Sequence, residues 1–235
     1  PRVSACAVGP EQELVLFDGW SGRIEMLSAA DWLPGSFSSP AVEYVGGLFA
    51  WDAAFSPAGE LLIADPGGGR IAVLARRHGD LLPSASIQPL DCGACPGGGP
   101  VGVAMRGTEV FFVSSPSPAG GAYLWSTSYS PECGWTFVRP REVVPVEPGG
   151  VITSLVAVER DEAAHLVVAG NDARGAFVLV RALQSESSVL LYDAKVELDA
   201  GTPLRTQRLA CGLAGAIGYT VAIRAERADA APAAA

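Results

Sequence analysis

The chain has 235 residues, 49% hydrophobic and only 17% charged, with 28 Gly and 18 Pro. This excludes a disordered protein, which needs low hydrophobicity and high charge, and it suits many short strands joined by tight turns. The net charge of −9 argues against nucleic acid as a partner, because phosphate binding needs a clustered positive face.

Short apolar runs bounded by Gly, Pro, Asp or Ser mark strands. The first unit predicts strands near 3–8, 13–17, 23–27 and 42–45. The second predicts 51–55, 60–64, 70–75 and 85–90. The third predicts 101–105, 109–113, 122–126 and 135–144, and the fourth 153–158, 165–169, 176–182 and 188–198. A truncated fifth unit is expected between Leu209 and Glu226. No stretch combines a helical apolar period with capping signals, so little or no helix is expected.

The units repeat a phrase. Residues 5–27 read ACAVGPEQELVLFDGWSGRIEML, and residues 51–75 read WDAAFSPAGELLIADPGGGRIAVLA. The second strands begin near Leu14, Leu61, Val110 and Leu166, which are 47, 49 and 56 residues apart. A period of this size with four short strands is the signature of a propeller blade. The fold expected is therefore an all-β propeller of about four to five blades. Its second strands, such as Leu61-Leu62-Ile63-Ala64, are apolar on both faces, as strands packed between two sheets must be. Pro falls in the outer strands, where a missing N–H costs no ladder bond. Residues 1–226 read as one domain and 227–235 as a loose Ala/Pro-rich tail.

The residues Ile63 to Leu74, IADPGGGRIAVL, resemble the phrase carried by blades of the NHL-repeat family. Asp65, Arg70, Ile71 and Val73 match it, and Asp18, Gly22, Arg23, Ile24 and Leu27 match it in the first copy. The third and fourth copies keep the strand pattern but have Ser114-Ser115 and Asn171-Asp172 in place of the Asp…Arg-Ile core. The resemblance implies a β-propeller.

Few residues suggest chemistry, and an enzyme is the less favoured expectation. Asp18, Asp65 and Asp172 recur after the second strands. A ring of carboxylates could hold a cation, but Asp also accepts hydrogen bonds from the backbone that follows it, a role each blade would need. Related propellers, the calcium-dependent lactonases and esterases, gather oxygen ligands on inner strands. Here those strands offer Asp52, Thr153 and Ser154. The two histidines, His78 and His165, fall in a basic turn and at a strand edge, and no Gly-x-Ser-x-Gly elbow occurs. Cys92 and Cys95 form a C-x-x-C pair in a Gly/Pro-rich stretch with no second pair to complete a zinc site. A disulfide, with Cys133 as one partner, free thiols, and a thiol redox or metal role are the readings open there. No catalytic, cofactor-binding or metal-ligating residue is therefore assigned.

The aromatics Trp20, Trp32, Phe37, Trp125, Tyr129 and Trp135 fall in or beside expected loops. Aromatics there either anchor an interface or cover a blade edge. The function expected is a non-enzymatic protein–protein scaffold, an accessory subunit of a larger assembly with other protein subunits as partners. A calcium-dependent propeller hydrolase and a thiol redox or metal protein are the alternatives. No uncharged apolar segment reaches the ~20 residues that span a bilayer. The longest, Leu209–Ile223, reads as a buried strand pair, with peripheral association with a membrane complex left open. A chain beginning at Pro1 is expected to be processed, which suits a secreted or organellar setting.

Overall fold

The structure, a computed structural model, describes residues 3–11, 13–18, 23–27, 41–43, 48, 50–77, 80–87, 98–130, 134–135, 139–160, 163–173, 175–184, 187–195, 204–213 and 219–227. All regular structure among them is strand. The first sheet comprises β1 (Val3–Val8), β2 (Leu14–Asp18), β3 (Arg23–Leu27) and β4 (Ala41–Glu43). The second comprises β5 (Asp52–Phe55), β6 (Leu61–Asp65), β7 (Arg70–Arg77) and β8 (Asp80–Ile87). The third runs through β9 (Pro100–Arg106), β10 (Glu109–Ser114) and β11 (Ala122–Ser130), with β12 (Gly134–Trp135) and β13 (Arg139–Val144) both on β11. The fourth comprises β14 (Val151–Arg160), β15 (Ala163–Asp172), β16 (Gly175–Gln184) and β17 (Ser187–Lys195). A two-stranded sheet of β18 (Leu204–Leu213) and β19 (Tyr219–Arg227) follows.

Each sheet is an antiparallel meander in chain order, the blade pattern expected. The repeated phrase explains the local geometry. Asp65 ends β6 and sits opposite Arg70 at the start of β7. Its carboxylate accepts the Gly68 N–H at 3.0 Å and lies 3.4 Å from the Arg70 Nε, with Asp65 only 1% exposed. Gly69 closes the turn at φ +64°, a conformation that favours a residue without Cβ. Asp18 and Arg23 occupy the same register in the first sheet.

Alternation along the strands then builds the core between sheets. Val15 and Phe17 of β2 face Leu61, Ile63 and Ala53 of the second sheet. Leu62, Ala64, Ile71 and Val73 face Val103, Val110 and Phe112 of the third. Phe111, Val113 and Leu124 face Leu155, Leu166 and Val168 of the fourth. The inner strands β1, β5, β9, β14 and β18 contact one another in succession, so the sheets fan about a common axis.

Some boundaries differ from expectation. Strand β8 begins at Asp80, directly opposite Arg77, rather than near 85. Pro83 is accommodated on this edge strand, beside a register shift at Val73/Leu74. The expected strand 135–144 is described at 134–135 and 139–144, and both parts pair with β11. β19 also reaches Arg227, one residue past the expected domain edge.

Candidate functional site

The inner strands enclose an axial cavity of about 340 Å³. Most of its wall is Ala, Val, Leu, Met and Phe; Cys6, Asp52 and Ser154 supply the polar side chains. Asp52 is 8% exposed. Its Oδ1 accepts the Ala53 N–H at 3.0 Å. Its Oδ2 accepts the N–H groups of Val103 at 3.2 Å and Leu155 at 3.3 Å.

The register shows why this works. Asp52 pairs with Ala64, Gly102 with Val113, and Ser154 with Ala169, so the three stand at one position of successive inner strands. The residue after each, Ala53, Val103 or Leu155, donates to the one carboxylate. An inner strand is a sheet edge, and its axis-facing N–H groups have no ladder partner. Asp52 supplies that partner for three sheets at once. Gly102 must stay small beside it, since a Cβ there would lie 2.8 Å from the Leu155 Cβ. Trp51 adds a second tie across the axis, donating its indole N–H to the Ile152 carbonyl at 3.3 Å. The sequence singled out Asp52 but missed Trp51; the signal was its adjacency to Asp52 in the repeated phrase.

A second feature lies on the first sheet. Directly opposed residues share a face, so Cys6 with Leu16 and Val8 with Leu14 form one apolar surface. It points away from the second sheet. Cys6 is exposed and Val8 is 57% exposed, but Leu14 and Leu16 are half-buried and Leu27, opposite Leu14 on the same face, is 5% exposed. The counterparts of Leu14 and Leu16 in the other sheets, Leu61, Ile63, Val110, Phe112 and Leu166, are fully buried, and Val168 is 1% exposed. Arg23 and Glu25, 3.4 Å apart, border this face.

The expected site residues are only partly placed. Trp125 is a correction: it lies in β11, within the expected strand, but is 3% exposed with its ring stacked on Phe112 at 6.1 Å, so it is not an exposed interaction aromatic. Alternation on a strand packed between two sheets drives it inward. Tyr129 is in β11 and pairs with Trp135 of β12. Asp172 ends β15 opposite Gly175, and His165 pairs with Val158 and Ala182. Trp20, Trp32, Phe37, His78, Cys92, Cys95 and Cys133 lie outside the described residues. Among the described residues, no group of three or more His, Cys, Asp or Glu side chains is placed to hold a metal, and no helix is long and apolar enough to cross a membrane.

No protein-family model matches the chain, and no curated protein matches it significantly. Solved structures match its fold. A protein from Bacteroides uniformis assigned as a 6-phosphogluconolactonase aligns at TM-score 0.57 and 15% identity, over 84% of this chain and 56% of its own. A gluconolactonase from Xanthomonas campestris aligns at 0.51 and 14%, over 79% and 60%. YCF48, solved with a D1 peptide, aligns at 0.50 and 15%, over 78% and 51%. The chain thus spans little more than half the length of these structures. The fold is a β-propeller.

Proposed function

We propose that this chain is a non-enzymatic protein-binding propeller of NHL-repeat type, an accessory subunit of a larger assembly. Residues 1–226 act as the binding domain and 227–235 as its tail. The observation that carries the reading is the apolar face of Cys6, Val8, Leu14 and Leu16, covered only in part where the equivalent surfaces of three other sheets are sealed. Apolar surface left partly exposed beside charged side chains is in keeping with a protein interface. The state of Asp52 supports the same reading. Both its oxygens are engaged by backbone amides, which suits a structural staple better than a reacting group. A peptide-bound protein among the similar folds is in keeping with a protein partner. Trp20, Trp32, Phe37, Tyr129 and Trp135 remain candidate secondary contacts.

The second reading, a calcium-dependent propeller hydrolase, draws on the axial cavity and its one carboxylate. Native mass spectrometry of the protein purified gently from its source, with metal analysis, separates the two. A stoichiometric metal-free protein assembly is expected. A monomer that carries calcium and hydrolyses esters or lactones overturns the proposal.

A further inference from the structure

We infer that the axial cavity binds a small organic cation, an ammonium group on a compact apolar body, with the Asp52 carboxylate as its counter-charge. This goes beyond the protein-binding reading and does not depend on it. The walls are stretches of four inner strands: 6–8 of β1, 52–55 of β5, 103–105 of β9 and 154–157 of β14. At about 3.3 Å per residue, the cavity is about 10 Å deep. Burial gives it a direction. At one end Asp52 is 8% exposed and Ser154 is buried. At the other, Phe55, Met105 and Ala157 are half-buried. Along β1, Cys6 is exposed and Val8 is 57% exposed. Entry is therefore from the β1 side and the Phe55 end, and Asp52 stands at the floor. Behind the floor the Trp51 indole reaches the Ile152 carbonyl. Gly102 is wedged beside it, since a Cβ there would lie 2.8 Å from the Leu155 Cβ and 2.9 Å from the Val113 Cγ1.

The lining selects by charge and by size. Among its described residues Asp52 is the only acidic one, and none is Arg, Lys or His. Neutral amides hold the Asp52 oxygens. Such bonds fix a carboxylate without cancelling its charge. Beside apolar walls its field is screened less than in water. An apolar body gains by burial against Ala54, Phe55 and Met105, and an attached ammonium gains further at the floor. A neutral molecule has only the first term, and an anion is repelled. A calcium ion takes about six to eight oxygens, whereas Asp52 and Ser154 are the lining residues with side-chain oxygen. The volume of about 340 Å³ suits a ligand of about ten non-hydrogen atoms, at about 30 Å³ each.

The probes are cyclohexylmethylammonium, cyclohexylmethanol and cyclohexanecarboxylate, matched in size and different in charge. Calorimetry on the full chain at about 0.15 M salt screens the diffuse pull of its surface charge. The ammonium should bind with Kd below about 1 mM, at least about tenfold tighter than the alcohol. The carboxylate should not bind. At about ten times Kd, the ammonium should slow alkylation of Cys6 roughly fivefold or more. Asp52→Asn keeps an oxygen for Val103 and Leu155 but removes the charge, so it should bring the ammonium to the affinity of the alcohol. Should that variant not fold, Val8→Trp decides. At an exposed position it should leave the melting temperature unchanged, yet fill the mouth and weaken the ammonium at least about tenfold. Equal affinity for ammonium and alcohol overturns the inference, and so does no ammonium binding. Binding that ignores these variants and leaves Cys6 equally reactive places the cation elsewhere and overturns it too. Calcium that displaces the ammonium overturns it in favour of the hydrolase reading. A protein assembly at source without ammonium binding defeats this inference alone and leaves the protein-binding reading standing.

Discussion

Replacing Asp52 tests whether one carboxylate staples three blades. Asp52→Ala removes the acceptor for three inner-strand N–H groups, those of Ala53, Val103 and Leu155. Orphaning a buried donor costs about 1–3 kcal/mol, so three donors set an upper range of about 3–9 kcal/mol. The axial cavity of about 340 Å³ adjoins them and can admit water, which restores part of the loss. A net destabilisation of about 3–5 kcal/mol is expected, or roughly 6–20 °C in melting temperature for a domain of this size. Asp52→Asn keeps an oxygen toward Val103 and Leu155 but turns an amide NH2 toward the Ala53 N–H. It should cost about 1–2 kcal/mol. Calorimetry gives the order wild type, Asn, Ala. Hydrogen exchange should show the Val103 and Leu155 amides losing protection together. A melting temperature for Asp52→Ala within about 2 °C of wild type refutes the staple. A rise would point instead to a carboxylate kept for function at the expense of stability.

Other substitutions probe the sheets. Trp125→Ala should destabilise by about 3–5 kcal/mol without altering any partner affinity per folded molecule. Trp125→Phe should stay within about 1.5 kcal/mol, because the indole N–H has no hydrogen-bond partner to lose; denaturant melts of the two decide. Asp65→Ala should cost about 1–3 kcal/mol by freeing the buried turn that holds Gly68 and Arg70. An unchanged urea midpoint would disprove that role. Gly69→Ala, at φ +64° with open space around it, should cost about 1–2 kcal/mol from backbone strain alone.

The blade repeat was readable in the chain because strand alternation and turn chemistry are local. The run Leu61-Leu62-Ile63-Ala64 announces burial on both faces, and it is fully buried. Asp65-Pro66-Gly67-Gly68-Gly69-Arg70 announces a turn with an Asp acceptor, and the hydrogen bond is there. Prediction failed where a residue's fate depends on which sheet lies opposite. Trp125 read as a candidate interface aromatic because it stands near the end of the expected strand 122–126, beside the loop expected to follow. Its burial against Phe112 is decided by which residue of β10 stands opposite and by the sheet packed over both. Asp52 read as a sparse carboxylate on an inner strand. Its partners stand 51 and 103 residues further on, brought to it only when three inner strands converge. The partly covered face follows the same logic. Leu14 and Leu16 look like Leu61 and Ile63 in sequence, and only the order of the sheets leaves one pair half-buried and seals the other. Sequence by itself determined the blades, since strand and turn preferences act over a few residues. Tertiary structure alone decided the axis and the exposed surface, since burial depends on neighbours far away in the chain.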